Sequence, residues 1–148
     1  MPSNPDLLAS PKQCHGGYYE QLAASYLQQQ GLILIASNWQ QPKVGEIDLV
    51  MLHLGKCWHV LLFIEVRKRK ITSYGDAAMS VTKAKQRKLI KTAYYFLQQH
   101  PQYAKLDCRF DVVAYNQPAF AIQSTVEPQN QYNNQPEWIQ GAFLAPAW

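Results

Sequence analysis

A chain of 148 residues, 47% of them hydrophobic, is long enough to form one globular domain with a sizeable core. Its three cysteines form no Cys-x-x-Cys pair, and their odd number argues against a disulfide framework and favours a reducing compartment. No apolar run reaches the ~20 residues of a membrane span, and the first residues lack the basic-then-apolar pattern of a secretory signal. We therefore expect a cytoplasmic protein with no membrane partner.

The net charge of +4 is modest, but the positive charge is concentrated in one part of the chain. Nine of the fourteen basic residues lie between Arg67 and Lys91, and only Asp76 opposes them there. A local basic field attracts polyanions, of which nucleic acid is the commonest, although a solvated basic helix face is the alternative. The bases expected to bind nucleic acid are Lys68, Arg69, Lys70, Lys83, Lys85, Arg87, Lys88 and Lys91.

The first part of the chain predicts an arm, a helix and a strand. Residues 1–15 contain three prolines and little periodicity, which predicts a loosely ordered arm before a domain over residues 16–143. From Gly17 to Gln30, apolar residues recur at helical spacing, and the next residue is a glycine suited to the C-cap. Leu32 to Ala36 predicts a first strand, followed by a loop.

Two further strands carry carboxylates within apolar, β-branched runs. Val44–Leu52 and Cys57–Arg67 are apolar at nearly every position, as in strands buried on both faces of a sheet. A hairpin between them would place Asp48 beside Glu65. Because neighbouring buried carboxylates repel each other, the pair predicts a bound cation. Acids for a metal next to bases for a phosphate indicate phosphodiester chemistry.

The rest of the chain predicts a long helix and further strands. Asp76 is expected to cap a helix that runs to about Gln99. Leu106–Tyr115 predicts a fourth strand, parallel to the third because a helix lies between them. Phe120–Val126 is a candidate edge strand. Residues 137–143 are expected to dock on the domain, and residues 144–148 form a tail.

Short motifs along the chain form a recognisable pattern. They are Gly17-Tyr18-Tyr19-Glu20, Asn38-Trp39, Gly45-Glu46-Ile47-Asp48-Leu49-Val50, Phe63-Ile64-Glu65-Val66, Tyr74-Gly75 and Phe110-Asp111-Val112-Val113. This pattern, over roughly residues 16–143, resembles the YraN-like family of bacterial proteins in the PD-(D/E)xK nuclease superfamily. That family is distantly similar to archaeal Holliday junction resolvases. The resemblance implies an α/β, restriction-endonuclease-like three-layer fold, with a central mixed sheet flanked by helices and an αβββαβ core.

The resemblance also implies roles for individual residues. Asp48 and Glu65 match the motif carboxylates, and with the Val66 carbonyl they would bind a divalent metal, Mg²⁺ or Mn²⁺. Glu20 matches a helical glutamate that resolvase-like members place near the metal, and Glu46 is an accessory acid typical of the family. With Arg67, the catalytic set becomes Glu20, Asp48, Glu65 and Arg67.

Arg67 departs from the superfamily pattern, because it stands where the motif has a lysine. Arginine can stabilise phosphate charge, but it stays protonated and cannot act as a base. Lys68 cannot simply take its place, because adjacent strand residues point to opposite faces of a sheet. Lys85 could reach the site from the predicted helix instead.

Three functions are compatible with these residues. The first is a metal-dependent endonuclease acting on branched or structured DNA, in which Arg67 stabilises developing charge. The second is a nucleic-acid-binding module that keeps the nuclease fold with little or no catalysis. The third is an interaction protein whose buried acids pair with Arg67 or Arg69. A divalent metal should distinguish them, and a homodimer is a further expectation because resolvase-like folds often dimerise.

Overall fold

The computed structural model describes residues 11–70, 81–117 and 135–146, and the side chains within these ranges except those of residues 11–16, 69, 70 and 117. A helix opens the described part, three strands follow, and a second helix leads to two more strands. The elements are α1 (Pro11–Gln29), β1 (Ile33–Gln41), β2 (Gly45–Leu54), β3 (His59–Lys70), α2 (Lys83–Gln99), a 3₁₀ turn (Pro101–Tyr103), β4 (Asp107–Gln117) and β5 (Glu137–Phe143).

The five strands form one mixed sheet in the order β1-β2-β3-β4-β5. The β1–β2, β2–β3 and β4–β5 pairs are antiparallel, whereas β3 and β4 are parallel and joined through α2. The parallel pairing that follows from a helical crossover is therefore confirmed. So are the central mixed sheet and the α/β class of the expected nuclease-like fold.

Two hydrophobic cores lie on opposite faces of this sheet. On one face, Ala23 and Leu27 of α1 belong to a core with Leu49 and Met51 of β2. On the other face, residues of α2 such as Phe96 pack with Phe63 and Phe110. Because successive strand side chains point to opposite faces, two covered faces require apolar residues at nearly every position. This is the physical origin of the continuous apolar runs in β2 and β3.

The starts of the two helices differ from the expected ones. α1 begins at Pro11, within the predicted arm, and ends as expected, with Gly31 at φ +96° after its last turn. The prediction that α2 extends back through Val81 is wrong, because Thr82 has extended backbone angles and caps the helix, accepting a hydrogen bond from the Lys85 N–H at 3.1 Å. Asp76, the cap that we predicted, lies outside the described residues.

β1 is longer than its apolar run predicts. The expected loop at Asn38 is instead strand, with a bulge between Leu34 and Ala36 and a φ of +51° at Asn38 itself. Trp39 anchors this polar end, because its ring packs edge-on against Phe96 at 5.2 Å.

The C-terminal segment docks on the domain as predicted. It does so as strand β5, which pairs antiparallel with β4. The candidate strand Phe120–Val126 lies outside the described residues. Within the described ranges, no helix is long and apolar enough to cross a membrane.

Candidate metal centre

The predicted site lies where β2 and β3 separate. Their ladder ends at the pair Leu49–Ile64, and continuing the register by one residue places Asp48 opposite Glu65. Before Asp48, Gly45 to Ile47 pair with β1 alone, and from Glu65 onward β3 pairs with β4 alone. We call this point, defined by Asp48 and Glu65, the fork. The hairpin thus brings the two predicted carboxylates together.

The backbone of β2 changes at Asp48. Ile47 and Val50 belong to the α2-side core, whereas Leu49 and Met51 belong to the α1-side core. Ile47 and Val50 thus face the same side although they are three positions apart, whereas regular alternation would require an even separation. The alternation of side chains is therefore interrupted at Asp48. The Asp48 Oδ2 atom accepts a hydrogen bond from the Val66 N–H at 2.8 Å. A carboxylate oxygen thus serves as acceptor where a regular ladder would supply a backbone carbonyl.

Glu65 faces α2 and meets a cation from that helix. The Lys85 Nζ lies 3.6 Å from Glu65 Oε1, and the Glu65 side chain is only 12% exposed. Arg67 is two residues further along the strand and contributes a second positive charge near Glu65. Lys68 points the other way, since its Nζ lies 5.0 Å from the centroid of the Tyr19 ring on α1. The sequence argument that Lys85, and not Lys68, reaches the site therefore agrees with the structure.

The two carboxyl groups strongly perturb each other's protonation. Burial and, after it, the negative charge of Glu65 raise the pKa of Asp48 to about 8, although the hydrogen bond from the Val66 N–H opposes them. Burial also raises the pKa of Glu65, although Lys85, a hydrogen bond with the Asp48 side chain and Arg67 all lower it. The pair therefore holds a proton near neutral pH, which is the arrangement expected of two acids that share one site.

Two further acids lie near enough to influence Asp48 electrostatically. The Oε2 atom of Glu20 is buried and has no hydrogen-bond partner among the residues that the structure describes, although its side chain lies near enough for its charge to raise the pKa of Asp48. Glu46 raises that pKa as well, and it accepts only a long 3.5 Å hydrogen bond from Gln40 Nε2. The fork is thus a local excess of carboxylate oxygens with few donors.

The donor atoms at the fork fit a small divalent cation. Asp48 and Glu65 supply carboxylate oxygens. The carbonyl of Val66 faces the same side as its N–H, because in an extended strand both groups point to the same neighbour. Such hard oxygen ligands suit Mg²⁺ or Mn²⁺, and Mg²⁺ is commonly held by one or two carboxylates with water completing its shell. Among the residues that the structure describes, no three His, Cys, Asp or Glu side chains lie close enough to hold a metal ion, so Glu20 is not placed as a direct ligand.

The other predicted bases lie on the surface or outside the described side chains. Lys83, Arg87, Lys88 and Lys91 are exposed along α2, whereas Lys85 is half-buried because it reaches toward Glu65. The side chains of Arg69 and Lys70 are not among those described. The exposed cations on α2 therefore share the helix that delivers Lys85 to the fork.

Gly45 allows this helix to lie close to the fork. A Cβ atom at Gly45 would come within 2.7 Å of the Thr92 Oγ1 atom on α2. That hydroxyl is fixed by its 2.7 Å hydrogen bond to the Lys88 carbonyl. A side chain at Gly45 would therefore require Thr92, or α2 itself, to shift away from the start of β2, whose next residues lead to Asp48.

A second buried carboxylate, that of Asp111, has no role predicted from the sequence. It accepts four hydrogen bonds of 2.8–2.9 Å, two from the Arg109 guanidinium, one from Trp138 Nε1 and one from the Gly141 N–H. Arg109 and Asp111 are two residues apart in one strand, so their side chains share a face of the sheet, and this spacing could have predicted their ion pair. The partners in β5 lie about 30 positions away, and no pattern in the sequence predicts their contact with Asp111. We call these four residues the Asp111 cluster.

Comparison with known proteins identifies relatives over the whole chain. The profile of "Uncharacterised protein family UPF0102" matches residues 19–115, which include every element of the fork. A UPF0102 protein of Psychrobacter sp. (strain PRwf-1) is 62% identical over 148 residues, covering all of both chains. One from Psychrobacter arcticus is 57% identical over 97% of this chain and 88% of its own. One from Acinetobacter baumannii (strain AYE) is 36% identical over 86% of this chain and 92% of its own. The chain therefore belongs to the UPF0102, or YraN-like, family.

Proposed function

We propose that this protein is a metal-dependent endonuclease that acts on branched or structured DNA, in the manner of Holliday junction resolvases. The observation that carries the proposal is the fork, where two half-buried carboxylates meet at a strand separation with Lys85 beside them. An acid pair so poor in hydrogen-bond donors is costly for a protein unless it serves to bind something.

The side chains at the fork suit phosphodiester hydrolysis. Asp48, Glu65 and the Val66 carbonyl would hold Mg²⁺ or Mn²⁺, which supplies Lewis-acid activation of the phosphate and a more acidic water. Lys85 lies against Glu65, so its ammonium is placed to orient a water or to stabilise charge on the phosphate. Arg67 stays protonated and can stabilise that charge by donating two parallel hydrogen bonds.

The substrate class follows from charge. Lys83, Arg87, Lys88 and Lys91 form an exposed row of cations on the helix that delivers Lys85 to the fork. Cations in such a row bind a phosphate backbone without reading its sequence. The proposal therefore assigns them to the DNA backbone on either side of the scissile phosphate, and dimerisation would place two forks on one junction.

One observation favours the alternative function, a nucleic-acid-binding module with little catalysis. Arg67 occupies the position of the superfamily's lysine, and it cannot act as a base. The substitution Arg67→Lys separates the two functions. In the nuclease, Arg67→Lys keeps or increases cleavage, because lysine restores the motif with a smaller donor, whereas neither protein cuts if the fold only binds.

The test is cleavage of labelled junction, flap and duplex DNA with Mg²⁺ or Mn²⁺. Wild-type protein should cut a branched substrate only with the metal, and Asp48→Asn or Glu65→Gln should abolish cutting. Asp107→Asn removes an exposed carboxylate of β4 and is the matched control, which should cut normally. Absence of metal-supported cleavage on every substrate, or cleavage that survives Asp48→Asn, would overturn the proposal.

A further inference from the structure

An exposed aromatic ring lies on α1, the helix that covers the opposite face of the sheet from the helix of Lys85. Tyr18 of α1 is 54% exposed, and its ring meets the Tyr19 ring edge-on, with centroids 5.1 Å apart. Tyr19 is fixed in turn by Tyr115 of β4, at 5.4 Å. A large ring in solvent is thus held in a defined orientation by a neighbour that is packed against the core.

A cation accompanies this ring. The Lys68 Nζ lies 5.0 Å from the centroid of Tyr19, within the range of a cation–π contact, and the lysine side chain is exposed. Tyr18 and Lys68 therefore both contact Tyr19. We call Tyr18, Tyr19 and Lys68 the tyrosine platform.

The tyrosine platform adjoins the fork on the α1 side of the sheet. Tyr19 directly precedes Glu20, whose charge reaches Asp48, and Lys68 follows Glu65 by three residues on β3. Because strand side chains alternate, Val66 and Lys68 face α1, whereas Glu65 and Arg67 face α2. The fork therefore has phosphate-binding cations on its α2 side and an aromatic ring with one cation on its α1 side.

This pairing of chemistries fits a nucleic-acid strand whose bases are not paired. A base can stack on a protein ring only after one of its faces has left the duplex stack, and this costs least where the strand is already single. Stacking on a tyrosine beside a cation is a common way to bind such strands without reading their sequence. A single exposed tyrosine needs no functional explanation. Tyr18, however, is held edge-on by Tyr19, which also contacts Lys68, so it is placed to contact the nucleic-acid strand bound at the fork.

We propose that Tyr18 stacks on an unpaired base next to the scissile phosphate, while Lys68 binds an adjacent phosphate, so that DNA with a single-stranded segment is the preferred substrate. This inference rests on the proposed nuclease function for the position of the phosphate. It goes further by naming single-stranded character, rather than a four-way branch alone, as what the protein recognises.

The test measures binding without divalent metal, so that it does not depend on cleavage. Fluorescence anisotropy with labelled oligo-dT and with a blunt duplex, both in EDTA, compares wild type with Tyr18→Ala, Tyr18→Phe and Tyr18→Trp. We expect Tyr18→Ala to weaken binding of the single strand about 5- to 100-fold, the usual effect of losing one stacked base, and to leave duplex binding nearly unchanged. Phenylalanine and tryptophan keep a ring face and should preserve the affinity.

The matched control is Tyr94→Ala, which removes a 46% exposed tyrosine from α2. The inference is overturned if Tyr18→Ala leaves single-strand binding unchanged, if it weakens single-strand and duplex binding equally, or if Tyr94→Ala has the same effect. Thermal unfolding of each variant shows whether a loss of affinity reflects a loss of fold. Metal-dependent cleavage that persists in Tyr18→Ala without preference for single-stranded segments would retain the nuclease and remove the tyrosine platform.

Discussion

The protein contains two carboxylate sites in its sheet, and they are built in opposite ways. Asp111 is 1% exposed, and its two oxygens accept four short hydrogen bonds, two of them from the guanidinium of Arg109. At the fork, Asp48 accepts a hydrogen bond from one backbone N–H, and Glu65 has a lysine at 3.6 Å. One Glu20 oxygen near them has no partner within the described part of the chain. The first site has a donor for every oxygen, and the second has an excess of acids.

This difference separates a structural role from a binding role. A buried carboxylate whose partners all belong to the protein has no capacity left for a ligand, and its loss exposes those partners. A group of acids that are short of donors has unfavourable energy until a cation arrives. We therefore assign the Asp111 cluster to holding β5 on β4, and we propose the fork as the site of the chemistry.

The largest expected effect is on stability at the structural site. Asp111→Ala should lower the free energy of unfolding by about 3–5 kcal/mol, because the Arg109 guanidinium and the N–H groups of Trp138 and Gly141 all lose their acceptor. Urea denaturation followed by circular dichroism measures this, with the exposed Asp107→Ala as the control. A loss no greater than that of the control would show that Asp111 is not needed to hold β5.

The next effect concerns Lys85, the lysine beside Glu65 at the fork. Lys85→Gln should lower metal-supported cleavage by about 100-fold, the usual cost of losing one charge-stabilising donor, with little change in stability because this lysine is 42% exposed. Lys88→Gln, which removes an exposed cation from the same helix, should weaken DNA binding only slightly. Equal cleavage by the two variants would remove Lys85 from the mechanism.

A smaller effect of the opposite sign is expected for the acids themselves. Asp48→Asn should raise the stability of the metal-free protein by about 1–3 kcal/mol near pH 7, because the amide keeps an acceptor for the Val66 N–H without a buried ionisable group. Chemical denaturation in EDTA measures this. A clear loss of stability would mean that Asp48 is a structural residue like Asp111.

The same acid makes the stability of the metal-free protein depend on pH. Its folded pKa of about 8 exceeds the usual value of 3.8, so the folded state keeps a proton that the unfolded chain has released. The contribution of Asp48 to stability should therefore be greatest below about pH 4 and should fall as the pH rises toward 8. Asp48→Asn should flatten this slope, and an unchanged slope would contradict the assignment.

The sequence predicted the fork well because its information is local. A hairpin fixes the register of β2 and β3, and two carboxylates in apolar runs are recognisable without any long-range contact. The interruption of side-chain alternation at Asp48 was not predictable, since it depends on how β2 packs between two helices.

The elements that were predicted poorly depend on distant partners. The polar end of β1 is a strand because Trp39 contacts Phe96 on α2. The docking of residues 137–143 was predicted but their pairing as strand β5 was not, because β5 is held by a side chain 30 positions away. The start of α2 was misplaced because apolar residues at helical spacing, Ala77 and Val81, continue the pattern before Thr82, whereas the cap is a backbone hydrogen bond to a threonine. The local spacing of apolar and polar residues cannot predict any of these contacts.

The most direct test of the central claim is titration of the intact protein with Mn²⁺ by isothermal calorimetry near pH 7. We predict binding of one ion per fork that is abolished in the Asp48→Asn, Glu65→Gln double variant and retained in Asp107→Asn. We also predict proton release, seen as heats that differ between buffers of different ionisation enthalpy, because the cation replaces the proton held by the acid pair. Equal heats from the wild type and the double variant would contradict the assignment of the fork as a metal centre.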